Sequence, residues 1–265
     1  MFEYVDRKVH GAEACLNIDG NIVLITGGAT GIGLALAEKF VGAGSEVIIC
    51  GRRKSRLQNA KRKLPEIHIR QCDVSVESER QDLLHWTITH LPHLNMLVNN
   101  AGIQRQIDFR SPAAARPTLA KDDEVNINLS APIRLCALFT PKLMKRQKAA
   151  IINISSGLAF VPIATMPIYC ATKAAIHSFT ISLRHQLKDT PIRVFEAAPP
   201  ATDTELDRGF AGEQEAYRGI SPKEVAAAII EGIKTDNEEI IIGEAQRLYR
   251  AAQRNPEAIF NQLNG

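Results

Sequence analysis

From residue 21 onward, short runs of Ile and Val recur along the chain, each followed by an amphipathic stretch. Nothing else in the sequence restricts the fold as strongly. A strand covered on both faces reads as a near-continuous apolar run, whereas a strand with one wet face alternates. Strands are expected at 22–26, 46–50, 67–71, 95–98, 150–154, 192–197 and 239–242. Helices are expected at 31–43, 55–64, 76–91, 119–145, 167–188 and 222–234. Strands that alternate with helices predict parallel pairing, and right-handed crossovers then cover both faces of the sheet. The expected fold is therefore α/β, a doubly wound sheet of about seven parallel strands in one domain spanning 21–265.

Composition narrows the partners. Lys and Arg total 32 against 29 Asp and Glu without a basic block, so nucleic acid is not an expected partner. Five scattered cysteines without C-x-x-C spacing argue against a metal site or a disulfide framework and for a reducing compartment. No apolar run approaches the ~18 residues of a spanning helix, so no membrane association is expected. Residues 1–20 lack a signal-peptide core and read as a polar N-terminal extension, which leaves the cytoplasm as the expected location. Two stretches break the alternation. Residues 103–118 and 203–221 read as long loops at the carboxyl edge of the sheet, either binding loops or surface excursions.

After the first strand comes Thr26-Gly27-Gly28-Ala29-Thr30-Gly31-Ile32-Gly33. Glycines permit positive φ and let a ligand approach the backbone. The helix that follows points its free N–H groups and positive dipole end at the turn, a seat for a pyrophosphate. A glycine cluster alone is weak evidence; after the first strand of a doubly wound sheet it points to a Rossmann-type dinucleotide site.

Tyr169 and Lys173 are spaced i, i+4 and share a helix face. Bringing a phenol from ~10 to about 7 takes ~4 kcal/mol. An ammonium at ~4 Å in an effective dielectric of ~20 supplies about that much. The pair is physically sufficient for acid/base work, although the same spacing arises by chance on exposed helices. Pro132 adds a separate clue. It lacks the N–H that would bond the carbonyl of Asn128, so a kinked helix and a water on that carbonyl are expected. The two serines that end the fifth strand, Ser155 and Ser156, could each cap a turn. No G-x-S-x-G elbow is present, which excludes a serine-hydrolase reading. His177 and His185 fall on the Tyr169 helix, where surface or packing roles are expected.

Taken together, T-G-x-x-x-G-I-G at 26–33, Asn99-Asn100-Ala101-Gly102 and Tyr169-x-x-x-Lys173 resemble the motifs of the short-chain dehydrogenase/reductase family, in the family's order. The segment 197–205 is similar to a subgroup that includes the oxidoreductase encoded with lipoteichoic-acid D-alanylation genes. The resemblance implies an NAD(P)(H)-dependent oxidoreductase acting on a small-molecule carbonyl or secondary alcohol. It assigns Tyr169 as acid/base, Lys173 as the group that lowers its pKa, Ser156 as holder of the substrate oxygen, and Asn128 as holder of a relay water. It also implies a homodimer or homotetramer.

For the cofactor, the resemblance points to Gly27, Thr30, Gly31, Ile32 and Gly33 in the turn, and to Asn100, Ala101 and Gly102 after the fourth strand. Asp73 and Val74 stand where the adenine is contacted, though Asp73 could equally cap a turn. An acid at the end of the second strand would select NAD. This chain has Gly51 there, followed by Arg52 and Arg53, which favours NADP(H) and leaves NAD(H) possible. Both arginines could instead be solvated. Pro199, Thr202 and Thr204 correspond to the P-G-x-V-x-T stretch that holds the nicotinamide carboxamide, with Pro200 replacing Gly and Thr202 replacing Val. Leu158, Phe160, Val161 and Met166 are candidates for an apolar substrate pocket or for ordinary packing. A non-catalytic NADP(H) sensor, or a cofactor-dependent isomerase or epimerase, stands as the alternative to a reductase.

Overall fold

The parity of the apolar residues decides how the layers assemble. Val23, Ile25, Val47, Ile49, Met96, Val98, Ile152 and Phe195 face one core, while Leu24, Ile48, Leu97, Ile151 and Val194 face the other. Alternate side chains of one strand point to opposite faces, so a continuous apolar run needs a cover on each. The computed structural model describes residues 16–112, 123–206 and 219–265. Its strands are β1 Ile22–Thr26, β2 Glu46–Gly51, β3 His68–Gln71, β4 Met96–Asn99, β5 Ala149–Ile154, β6 Ile192–Ala198 and β7 Glu239–Ile241. They form one seven-stranded sheet in the order β3-β2-β1-β4-β5-β6-β7, and every pairing is parallel. The order reverses between β1 and β4, which opens a crevice at their carboxyl ends.

The helices are α1 Gly31–Gly42, α2 Lys54–Lys63, α3 Glu77–His90, α4 Ala131–Leu143, α5 Pro167–Leu187, α6 Pro222–Lys234, α7 Glu244–Arg254 and α8 Pro256–Asn264. Leu36 and Phe40 of α1, Leu57 of α2 and Val225, Ile229 and Ile233 of α6 fill the first core. Leu83 of α3, Leu135 and Phe139 of α4 and Leu183 and Leu187 of α5 fill the second. Fully burying side chains of this size contributes roughly 1.5–3 kcal/mol each, so the two layers dominate the stability. Among the described residues no helix is long and apolar enough to cross a membrane.

The structure departs from the sequence reading in three places. The helix expected over 119–145 begins outside the described residues, and within the described part Glu124 and Val125 are helical and lead into a π-helical turn, Asn126–Ser130, before α4. That turn lies directly before Pro132, where an interruption was expected; a π-bulge is one of the ways a helix absorbs a lost hydrogen bond. Helices α7 and α8 were not anticipated. The chain turns at Gly243, at φ 54°, and again at Asn255, whose side chain accepts from the Ala258 N–H at 3.0 Å. Residues 16–20, read as part of the extension, place Leu16 and Ile18 in the first core. The Ser45 hydroxyl donates to the Ile18 carbonyl at 2.6 Å and holds them there. Most of the 203–221 loop and residues 113–118 lie outside the described residues. At its far end Ser221 forms a capping box with Glu224, as the Ser-Pro start predicted.

Candidate active site

The crevice begins at the turn after β1. Gly27 (φ 63°) and Gly31 (φ 54°) hold backbone that L side chains avoid. Thr26 locks this turn to the end of β4, because its Oγ1 accepts from the N–H groups of Asn100 and Ala101, both at 3.0 Å. Asn100 returns the contact through Nδ2, which donates to the Thr26 carbonyl at 2.9 Å and the Gly27 carbonyl at 3.2 Å. Gly33 has a packing duty: a Cβ there would lie 2.5 Å from Asn100 Nδ2 and 2.6 Å from the Gly27 oxygen. At the start of α1, Thr30 makes no side-chain cap and the first turn carries no acid. The dipole end of the helix thus faces the crevice without an intramolecular counter-charge in that turn.

A cleft of about 440 Å³ runs from this turn to the start of α5. Gly27, Thr30, Gly31, Ile32, Arg52, Arg53, Asp73, Val74, Asn100, Ala101, Gly102, Tyr169, Lys173, Pro199 and Thr204 all line it. Four sequence-derived candidates do not: Gly33, Asn128, Ser156 and Thr202. Thr202 is buried, and its hydroxyl donates to the Pro200 carbonyl at 2.9 Å. The methyl of Thr204 instead leans over the turn, 3.1 Å from where a Cβ on Gly31 would stand.

At the β2 end of the cleft, charged side chains meet one another. Arg52 Nη1 lies 4.0 Å from Asp73 Oδ2. Arg53 and Arg56 both reach Glu205, at 3.0 and 2.8 Å. Asp73 lines the cleft, and its Oδ1 accepts from the Ser75 N–H at 2.9 Å, as in the turn-capping reading. Buried Arg80 donates to the Val74 carbonyl at 2.6 Å and fixes that segment from behind.

The α5 end is enclosed. Lys173 Nζ donates to the Ile154 carbonyl at 2.8 Å and stands 5.5 Å from the centre of the Tyr169 ring. Both residues are buried. Burial pulls the Lys173 pKa down to about 8, opposed by the negative charge of Glu196, so the ammonium remains mostly protonated at neutral pH. Asn128 faces inward. Its Oδ1 accepts from the Ile103 N–H at 2.9 Å, and its Nδ2 donates to the Ile103 carbonyl at 2.8 Å and to Thr172 Oγ1 at 3.3 Å. Asn128 therefore clamps the segment after β4 to α5. Ser156 caps a short 3-10 turn, Gly157–Ala159, by accepting from the Leu158 N–H at 3.1 Å, which leaves its hydroxyl proton for another acceptor. Ser155 is the serine that lines the cleft, and its hydroxyl donates to the Ala197 carbonyl at 3.3 Å. Of the apolar pocket candidates, Val161 is buried and Phe160 packs edge-on against His177 and Tyr249, which places both in the packing of the loop.

A family model described as short chain dehydrogenase matches residues 21–215. The chain belongs to the short-chain dehydrogenase family. It is 47% identical over 250 residues to the uncharacterized oxidoreductase DltE of Bacillus subtilis (strain 168), covering 94% of this chain and 98% of that protein. It is 31% identical over 179 residues to the NADP-dependent 3-hydroxy acid dehydrogenase YdfG of Escherichia coli O6:H1, covering 67% of this chain and 71% of that one. A short chain dehydrogenase from Burkholderia cenocepacia J2315, solved in complex with NADP, has the same fold at TM-score 0.78 and 24% identity, covering 94% and 99% of the two chains. Another from Burkholderia phymatum, solved in complex with NAD, gives TM-score 0.79 at 20% identity, covering 94% and 97%. Family membership makes the chain an oxidoreductase of the NAD(P)-binding type.

Several residues of this short-chain dehydrogenase escaped the sequence reading. Glu205 and Arg56 lie on separate elements, and no spacing signals that they meet. His177 Nδ1 donates to the Oε2 of buried Glu196 at 2.7 Å, a contact that raises the histidine pKa. The other oxygen of Glu196 is buried with no hydrogen-bond partner among the described residues. Helices α7 and α8 brace the loop between Ser156 and Tyr169. A Cβ on Gly157 would lie 2.8 Å from Ala245 Cβ, and Asn264 donates to the Pro162 carbonyl at 3.1 Å.

Proposed function

We propose that this short-chain dehydrogenase reduces a carbonyl compound to a secondary alcohol, or runs the reverse oxidation, with Tyr169 as acid/base. The carrying observation is the buried Lys173 ammonium beside the Tyr169 ring, at the closed end of a cleft that starts at the glycine turn. The cleft also fits the implied dinucleotide. Gly27 and Gly31 leave room for close approach, α1 presents its N-terminus, and Arg52 and Arg53 line the far end. When bound, the nicotinamide supplies or accepts the hydride.

The side chains handle the proton. A phenol is a poor base at neutral pH, and a neighbouring ammonium lowers its pKa by favouring the phenolate. In reduction Tyr169 donates its proton to the oxygen that becomes the alcohol, a role worth roughly 10²–10⁴-fold. Ser156 donates its hydroxyl proton to the same oxygen as negative charge develops there, so the contact is stronger in the transition state than in the ground state. Asn128 sets the position of Thr172 and the segment after β4, and its backbone carbonyl holds a water that returns a proton toward Lys173. Arg52 and Arg53 line the cleft beyond β2 and together receive the 2′-phosphate of NADP(H), in keeping with the NADP-dependent relative from Escherichia coli.

NADPH consumption over a panel of aldehydes and ketones tests this reading, with wild type and Tyr169→Phe compared at equal cofactor occupancy. Turnover by wild type and a loss of about 10²-fold or more in the variant are expected. Tight cofactor binding by both proteins without turnover of any carbonyl would favour the redox-sensor alternative.

A further inference from the structure

The chain lacks an acid at the end of β2, where Gly51 stands, yet a carboxylate reaches that end of the cleft from another part of the fold. Glu205 follows Thr204 in the loop after β6, and this loop crosses above the glycine turn. Its Oε2 lies 3.0 Å from Arg53 and its Oε1 lies 2.8 Å from Arg56, so one carboxylate spans two guanidinium groups. All three residues line the cleft. Arg52 has its own acid in Asp73, at the longer distance of 4.0 Å.

We propose that Glu205 sets the preference between NADPH and NADH by competing with the cofactor 2′-phosphate for Arg53 and Arg56. The proposal rests on the reading of the cleft as a nicotinamide dinucleotide site. Guanidinium forks bind carboxylate and phosphate through the same paired N–H groups. A phosphate entering between Arg53 and Arg56 must therefore displace Glu205 or sit beside it, and like charges within a few ångströms oppose each other. A free 2′-hydroxyl meets no such repulsion and offers a donor that a carboxylate accepts, which is how an acid at the end of a second strand selects NAD. Glu205 thus places, from the β6 loop, a charge that opposes the 2′-phosphate without excluding it, at an end of the cleft where β2 carries no acid.

The competition also links the two ends of the cleft. Glu205 is the neighbour of Thr204, which leans on Gly31. Displacing the carboxylate releases the tie between this loop and α2, whereas NADH leaves it in place. The three side chains are partly exposed, so the effect is moderate and weakens with salt.

Fluorescence titrations with NADPH and with NADH test the proposal on wild type, Glu205→Gln, the Arg53→Met/Arg56→Met double variant and the triple variant. Glu205→Gln keeps the size of the side chain and removes its charge. It is expected to tighten NADPH by roughly three- to tenfold while NADH changes by less than about twofold. The gain should vanish on the double-arginine background and shrink at high ionic strength. An unchanged NADPH/NADH ratio in Glu205→Gln, or equal weakening of both cofactors, would overturn the proposal. Binding of neither cofactor by folded wild type would defeat the dinucleotide reading itself, and the proposal with it.

Discussion

At the α5 end of the cleft, Lys173, Asn128 and Ser156 are tied to backbone groups, to Ile154, Ile103 and Leu158 respectively. At the β2 end, Arg52, Arg53 and Arg56 are tied to other charged side chains. Exposure divides them the same way: Lys173 is 6% exposed, while the Arg53 side chain is 59% exposed. Backbone-anchored groups keep their positions because their partners belong to the main chain at or just beyond the ends of β4 and β5. Paired surface charges each surrender rotamer freedom for a screened attraction. The contrast teaches which end can be retuned by substitution. The enclosed end should fail sharply when altered, and the exposed end should shift by degrees.

Lys173→Met is the hardest blow to the enclosed end. Without the ammonium the Tyr169 phenolate is no longer favoured, so alcohol oxidation near neutrality, the direction that needs the phenolate, is expected to fall by about 10³-fold. Stability moves the other way. Burial lowers the folded-state pKa of Lys173 to about 8 from 10.5, so holding it charged costs stability fully below pH 8. Between 8 and 10.5 the unfolded chain binds the extra proton, and wild-type stability rises with pH. The variant should therefore unfold later than wild type at pH 7, by about 1–2 kcal/mol after allowing for the Ile154 carbonyl that loses its donor. That advantage should fade as pH approaches 10, and calorimetry across this range reads it. A variant less stable than wild type at pH 7 would mean that the ammonium–carbonyl bond outweighs the burial cost.

Gly33→Ala attacks the scaffold between the two ends. The added Cβ meets Asn100 Nδ2 at 2.5 Å and the Gly27 oxygen at 2.6 Å; the second is backbone, and the first is held by the Thr26 and Gly27 carbonyls. The turn must open, which breaks the Thr26–Asn100 lock. A cost of about 1–3 kcal/mol in unfolding free energy is expected. Cofactor affinity should fall with it, because Gly27 and Gly31 would lose their geometry.

Much of this layout could be read from the chain. The strands announced themselves because each is buried on both faces, and their positions agree to within a residue at β1, β2 and β6. The cleft residues were legible where backbone conformation demands a residue type, as at Gly27 and Gly31. Legibility ended where side chains from distant elements meet. Glu205 and Arg56 are separated by most of the chain, and Glu196 looks like one polar residue in an apolar strand. In the sheet Glu196 stands opposite Asn153, which stands opposite Asn99, so a buried polar row crosses three strands beneath α5. Helices α7 and α8 follow the last strand and so fall outside the strand–helix alternation; α7 also exposes Glu244, Arg247, Arg250 and Arg254, and α8 is short. Their duty at Gly157 and Pro162 shows only once the chain is folded.

That polar row gives the next prediction, a shift rather than a loss. Glu196 acts on Lys173 and His177 of α5, Arg184 of the same helix acts on His177 and pairs with Glu239, and Glu239 stands opposite Glu196 on β7. The Glu196 charge raises the Lys173 pKa against the effect of burial. Glu196→Gln keeps an acceptor for His177 and removes that charge, so the Tyr169–Lys173 pair releases its first proton more readily. Carbonyl reduction needs the proton, and its rate falls as pH rises. In the variant this fall should begin at lower pH, by roughly half a unit to one unit. A role limited to packing would lower the melting temperature and leave the pH profile where it was.

The smallest effect belongs to the exposed end. Arg56→Gln removes one of the two guanidinium groups on Glu205 and leaves Arg53 in place. An exposed ion pair contributes about 0–1 kcal/mol, and no buried group loses a partner. Thermal unfolding should change by no more than about 0.5 kcal/mol. Yet the freed share of the carboxylate now falls on Arg53, which lines the cleft. NADPH affinity should drop by about twofold with NADH unaffected. A stability loss comparable to that of Gly33→Ala would show that the Glu205 contact is a structural tie, and the contrast between a fixed end and a tunable end would not hold.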